Sequence, residues 1–174
     1  MKPGVVVMSE LRGEIAEWLS SIQRKYDPRV AAELPTHITI TGSSGMGPIS
    51  PSTSAADLRR ALERVAQSTP SFTVRLQPPT RFMQSTVVVM TIEPHGPIRA
   101  LHERIKSSGL SYDPPRFTFT PHCTLSFYPE LDREKLRELL RVRFDEPVVI
   151  DSIQAYRTVT LTRTRKVLDL PLTG

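Results

Sequence analysis

The sequence predicts a fold of the α+β or α/β class, on three observations. Strand-like and helix-like segments intermix along the whole chain. Most of the 16 prolines lie between apolar segments, which favours many short elements with rigid connections over long helical bundles. The 174 residues are 39% hydrophobic and 24% charged, enough apolar surface for a core and far from the composition of a disordered chain.

The elements follow in order. Val5-Val6-Val7-Met8 is compact and β-branched and reads as a buried strand. Ser9 is a candidate cap for a helix whose Ile15, Trp18, Leu19 and Ile22 form one apolar stripe before Asp27-Pro28 ends it. After a short Ala-rich piece, His37 to Thr41 alternates as a strand with two unlike faces. Residues 42–54 are almost all Gly, Ser, Pro and Thr and predict a flexible loop. A helix is expected over Ala55–Ser68, with Leu58, Leu62 and Val65 inward, and a strand over Ser71–Leu76. Gln77-Pro78-Pro79-Thr80 reads as a turn, Thr86–Ile92 as a central strand, and Pro97–Ser108 as a helix ending at Gly109. Tyr112–Arg116 is a rigid Pro-containing loop, and Phe117–Phe127 alternates again. Leu131–Leu140 is a charged helix, and Val148–Tyr156 and Lys166–Leu170 close the chain as strands. The sum is about seven strands and four helices in one domain over residues 1–174.

Lys plus Arg is 23 against 18 Asp plus Glu, a net charge of +5, which favours an anionic partner weakly, since the same charge also serves solubility. The single cysteine, Cys123, cannot form an internal disulfide, and the cytoplasm is the simplest location. The first apolar stretch is too short for a signal peptide, and no segment approaches a membrane span.

One arrangement occurs twice. Leu34-Pro35-Thr36-His37-Ile38-Thr39-Ile40 and Phe119-Thr120-Pro121-His122-Cys123-Thr124-Leu125 both place His-apolar-Thr-apolar on a strand just after a proline. With a side-chain period of two, His37 and Thr39 project from one face while Ile38 and Ile40 project from the other, and His122 and Thr124 stand likewise against Cys123 and Leu125. Each strand presents an imidazole and a hydroxyl on one side and anchors itself by the other.

These paired motifs resemble those of the 2H phosphoesterase superfamily, particularly its 2′-5′ RNA ligase-like and cyclic phosphodiesterase branch. The resemblance implies a bilobal α+β fold in which two related antiparallel-sheet lobes with flanking helices face each other across a central cleft, each contributing one motif strand. It also implies an RNA end or small cyclic nucleotide as substrate. Members often carry a basic or aromatic residue after the second motif. Here Phe127 and Tyr128 follow, with no Arg or Lys.

The chemistry suits the residues. In-line displacement at phosphorus needs proton removal and donation on opposite sides of one phosphate. Two imidazoles with an ordinary pKa of about 6.5 supply both near neutral pH, so His37 and His122 are the catalytic candidates. Thr39 and Thr124 are placed to donate hydrogen bonds to the non-bridging oxygens. No cofactor or metal is called for. For a 2′,3′-cyclic phosphate, the substrate the resemblance implies, one histidine takes a proton from water and the other gives one to the leaving ribose oxygen, and with an RNA hydroxyl as nucleophile the same machinery makes a 2′-5′ linkage.

Arg81, Arg116, Arg157 and Arg163 are candidates for holding a terminal phosphate, and Tyr128 and Tyr112 for stacking on a base. Packing or solvation is the simpler reading for each of them. The Gly42–Gly47 segment lacks the Lys-Ser/Thr ending of a nucleotide-binding P-loop. His95 and His102 have no metal-ligand spacing, and Cys123 faces away from its neighbouring histidine. Two other readings stand beside the enzyme: a non-catalytic RNA- or nucleotide-binding protein using the same cleft, and a metal hydrolase ligated by His37 and His122. A monomer is the default assembly.

Overall fold

In the computed structural model the described residues are 3–42, 44–82, 85–127, 131–160 and 163–174. Among them are nine strands and five helices: β1 (Val5–Glu10), α1 (Glu14–Tyr26), α2 (Pro28–Glu33), β2 (His37–Thr41), α3 (Ala55–Gln67), β3 (Phe72–Val74), β4 (Leu76–Arg81), β5 (Val88–Ile92), α4 (Pro97–Lys106), β6 (His122–Ser126), α5 (Arg133–Leu139), β7 (Val148–Ile150), β8 (Ser152–Thr160) and β9 (Arg163–Pro171). They build a four-stranded sheet ordered β2-β1-β8-β9, a three-stranded sheet ordered β4-β5-β6 and a small β3-β7 pair, each antiparallel. The class is α+β. No helix among the described residues is long and apolar enough to cross a membrane.

The two motif strands, β2 and β6, are each the edge of their sheet, and they lie against one another. Their burial alternates identically, with half-buried His and Thr between buried apolar residues. Ile38, Ile40, Cys123 and Leu125 enter the core, all at 1% exposure or less. The helices cross over: α1, which leads into β2, packs against β6, and α4, which precedes β6, packs against β2. The motif strands therefore meet on a shared foundation.

Several local expectations are revised. Gln77–Thr80 is not a turn but part of β4, and Pro78 and Pro79 are tolerated because β4 is a sheet edge, where a missing N–H breaks no necessary ladder bond. Ser9 does not cap α1. It lies buried inside β1, and the helix starts after Gly13, whose φ of 66° suits glycine. The Ala-rich piece is helix α2, capped by the Asp27 carboxylate accepting from Val30 N at 3.2 Å, with Pro28 in its first turn. The regular strand after Phe117 begins only at His122; Phe117 itself makes one bridge, to Ser44.

The 42–54 segment is not a loose connection. Gly45 N donates to Phe117 O at 2.8 Å, Gly47 N to Asp113 O at 3.0 Å, and Val5 and Ile49 exchange two main-chain bonds at 2.9 and 2.8 Å. Met46 and Ile49 are buried in the core. Gly45 has a φ of 72°, and a Cβ there would stand 2.5 Å from the His102 ring. Glycine permits this close approach, and the backbone bonds hold it.

Candidate active site

The strand register places the site residue by residue. His37 lies across β1 from Glu10, and Thr39 across from Met8. In the other sheet His122 lies across β5 from Thr91, and Thr124 across from Val89. The two histidines are close enough that charge on His122 disfavours protonation of His37.

Their rings are fixed in the same way. His37 Nδ1 donates to Pro35 O and His122 Nδ1 to Thr120 O, each at 2.7 Å and each to a carbonyl two residues upstream. An Nδ1 committed to a carbonyl must carry the proton, which leaves Nε2 on both rings to accept or deliver one. Burial is the principal influence on both and lowers each below the ordinary 6.5. The carbonyl bonds oppose that shift, as does Glu10 at His37.

The surroundings of the histidines differ. Phe82, just beyond β4, lays its ring against His122 with centroids 4.7 Å apart, and Phe117 packs edge-on to Phe82 at 6.5 Å. Phe117 is 44% exposed, so the pair presents an aromatic surface beside the second motif. On the His37 side, Glu10 accepts from Tyr156 Oη and pairs with Lys166 Nζ at 2.7 Å. Glu10 N also donates to Gln154 Oε1 at 2.8 Å. The Glu10 carboxylate holds Lys166 above its ordinary pKa, and burial together with Glu10 pushes the Tyr156 hydroxyl up.

The other candidates are scattered. Arg81 and Arg116 are exposed, and each directly precedes a phenylalanine of the aromatic pair. Arg157 stands opposite Val5, at the end of β1 away from Glu10 and His37, and donates to Pro51 O at 2.9 Å and Thr53 O at 3.0 Å. Its guanidinium ties down the 50–54 segment rather than joining the motif face. Tyr112 donates to Ile105 O and fills a packing role. Tyr128 and the side chain of Arg163 lie outside the described residues. Cys123 is fully buried and its thiol is pushed up to about 12, which makes it inert. Among the described residues no three His, Cys, Asp or Glu side chains cluster as a metal site would require.

Sequence reasoning missed Phe82, Phe117, Glu10, Tyr156 and Lys166. Arg-Phe occurs at 81–82, 116–117 and 143–144, and nothing local in the sequence singles out the first two. The Glu10 cluster joins β1, β8 and β9, and only the sheet order reveals it. Two surface hollows lie away from the motif strands, and the one between α3 and α4 is lined by Arg64 and Arg104, already hydrogen-bonded to Ser108 O and Ser68 O.

The fold is similar to that of several solved structures, among them one of a phosphoesterase (TM-score 0.63, 20% identity, covering 99% of this chain and 100% of that one). TT0787 of Thermus thermophilus superposes with a TM-score of 0.67 at 16% identity, covering 98% of both chains. E. coli LigT complexed with 3′-AMP gives 0.58 at 19% identity over 100% of both. In sequence, a Bacillus pumilus (strain SAFR-032) protein named "Putative phosphoesterase" is 28% identical over 127 residues, 72% of this chain and 70% of that one. Residues 11–160, which contain both motif strands, match the model of the 2′-5′ RNA ligase superfamily, and the chain belongs to that family.

Proposed function

We propose that this protein is a phosphoesterase that opens 2′,3′-cyclic phosphates on RNA ends or nucleotides by two-histidine acid/base catalysis, without a metal. The matched Nδ1 bonds of His37 and His122 carry the reading, because they leave one free Nε2 on each of two adjoining strands. One Nε2 takes a proton from the attacking water as its oxygen bonds to phosphorus. The other delivers a proton to the ribose oxygen as the P–O bond breaks, leaving a phosphomonoester. Thr39 and Thr124 donate to the non-bridging oxygens. Approached by an RNA hydroxyl instead of water, the same pair forms a P–O bond to that hydroxyl while the bond to the ribose 3′-oxygen breaks and that oxygen is protonated, leaving a 2′-5′ linkage. The match of the fold to LigT complexed with 3′-AMP supports a nucleotide substrate. Incubating chelator-treated protein with 2′,3′-cyclic nucleotides and cyclic-phosphate RNAs, with products identified by mass, tests the reading. Absence of any ring-opened product would refute it.

The pH dependence follows from the histidines. With both lowered below 6.5, the singly protonated state of the pair is populated on the acid side of that value and declines as pH rises. A bell-shaped kcat/KM with its maximum below about pH 6.5 is expected. A maximum above about pH 7.5 contradicts this assignment. Stability shifts in the same sense. The unfolded chain binds protons at a higher pH than the folded one does, so stability rises with pH through this range and is lost as pH falls below about 6.5.

Phe82 and Phe117 are the surface on which a base would stack. Phe82→Ala is expected to raise KM for cyclic nucleotides by about 5- to 100-fold, the scale of one lost base-aromatic stack. KM for a cyclic phosphate of glycerol, which has no base, should stay within about twofold. An equal change for both substrates would mean that Phe82 acts only by supporting His122.

A further inference from the structure

Apart from the motif residues themselves, two buried side chains reach from a helix of one half of the chain to a motif strand of the other. Gln23, on α1, donates from Nε2 to Thr124 O at 2.8 Å, and His102, on α4, donates from Nδ1 to Ile40 O at 2.8 Å. Both carbonyls belong to motif strands at sheet edges, where no neighbouring strand of the same sheet bonds the outer side. Each is held by a helix from the opposite half of the chain. Gln23 is 5% exposed and His102 1%.

The His102 seat is built with little slack. Its ring stacks on Phe119 with centroids 3.9 Å apart and a 28° tilt, and Gly45 covers it so closely that no Cβ fits there. Gly45 is itself fixed by its bond to Phe117 O. The glycine-rich segment after the first motif thus serves to fit the ring that grips that motif.

We propose that Gln23 and His102 are positioning residues that set the separation and tilt of the two motif strands, and through them the alignment of His37 and His122 on one phosphate. The inference rests on the acid/base reading above. Both side chains are buried, and each bonds its strand at or next to a motif threonine. Removing either donor frees an edge strand that carries half of the catalytic pair, and a displacement of about 1 Å in such a pair is enough to lower a rate by about 100-fold.

The test uses Gln23→Met and His102→Leu, which keep bulk and lose the donor, and His102→Asn, whose amide can restore a donor near the Nδ1 position. On 2′,3′-cyclic AMP, well below each variant's thermal midpoint, Gln23→Met and His102→Leu are expected to lose about 10- to 100-fold in kcat, with KM within about threefold. His102→Asn should recover most of the loss. The second readout needs no turnover: inorganic phosphate is titrated while the ring signals of His37 and His122 are followed by NMR. In the unaltered protein both histidines should report one phosphate at one concentration. In Gln23→Met and His102→Leu the two responses should separate or one should disappear. Variants that lower only the thermal midpoint, keeping kcat and the joint phosphate response, would overturn the proposal. An unaltered protein with neither turnover nor a phosphate response would instead overturn the acid/base reading, and this inference with it.

Discussion

His37→Ala and His122→Ala should each lower kcat on a 2′,3′-cyclic nucleotide by about 10²–10⁴, the usual contribution of one general acid or base. The expectation is the same for both because the two rings have the same restraint: one Nδ1 bond of 2.7 Å, a half-buried setting and a lowered pKa. KM should change less, since binding also draws on the threonines and the aromatic surface. The double variant should be only slightly slower than either single one, because an acid without its base already forfeits most of the concerted transfer. A folded single variant with near-normal kcat would remove two-histidine catalysis from consideration. A variant losing activity only in proportion to lost structure would remove it as well.

Asp27→Ala is the stability counterpart. The buried carboxylate caps α2 through Val30 N and also accepts from Ser126 Oγ at 3.2 Å and Phe127 N at 2.7 Å, at the end of β6. Losing the cap costs about 0.5–2 kcal/mol, and hydrogen bonds to a charged group contribute about 1.5–3 kcal/mol. A loss of about 2–4 kcal/mol is therefore expected, measured by urea unfolding with an unchanged denaturant slope. A loss below about 0.5 kcal/mol would show that water replaces the carboxylate without penalty. Activity should fall as well, because the same carboxylate anchors the strand that carries His122.

The parts of the fold visible in the sequence are those whose cause is local. The alternation through His37–Thr41 and His122–Ser126 is a period of two, and its outcome, polar residues on one face and Ile38, Ile40, Cys123 and Leu125 in the core, needs no distant partner. The helices over Ala55–Gln67 and Pro97–Lys106 are legible for the same reason. What escaped depends on contacts between distant segments. Pro78 and Pro79 signal a turn unless the strand is known to be an edge. Gly45 and Gly47 signal mobility unless Phe117 O and Asp113 O are known to wait for their N–H groups. Arg157 suits a phosphate until the carbonyls of Pro51 and Thr53 are found beside it. The aromatic face at Phe82 and Phe117 was hidden because the two residues are brought together only by the packing of separate loops against the second sheet.

The crossing of α1 beneath β6 and of α4 beneath β2 has a mechanical result. A clamshell enzyme has a hinge, and each shell folds around its own contents. Here each jaw is braced by a beam from the other, so spreading the jaws would break both braces at once. A shift of one motif strand relative to the other therefore strains two separate helix contacts together, and the two sheets are tied as one unit rather than as two independently hung leaves.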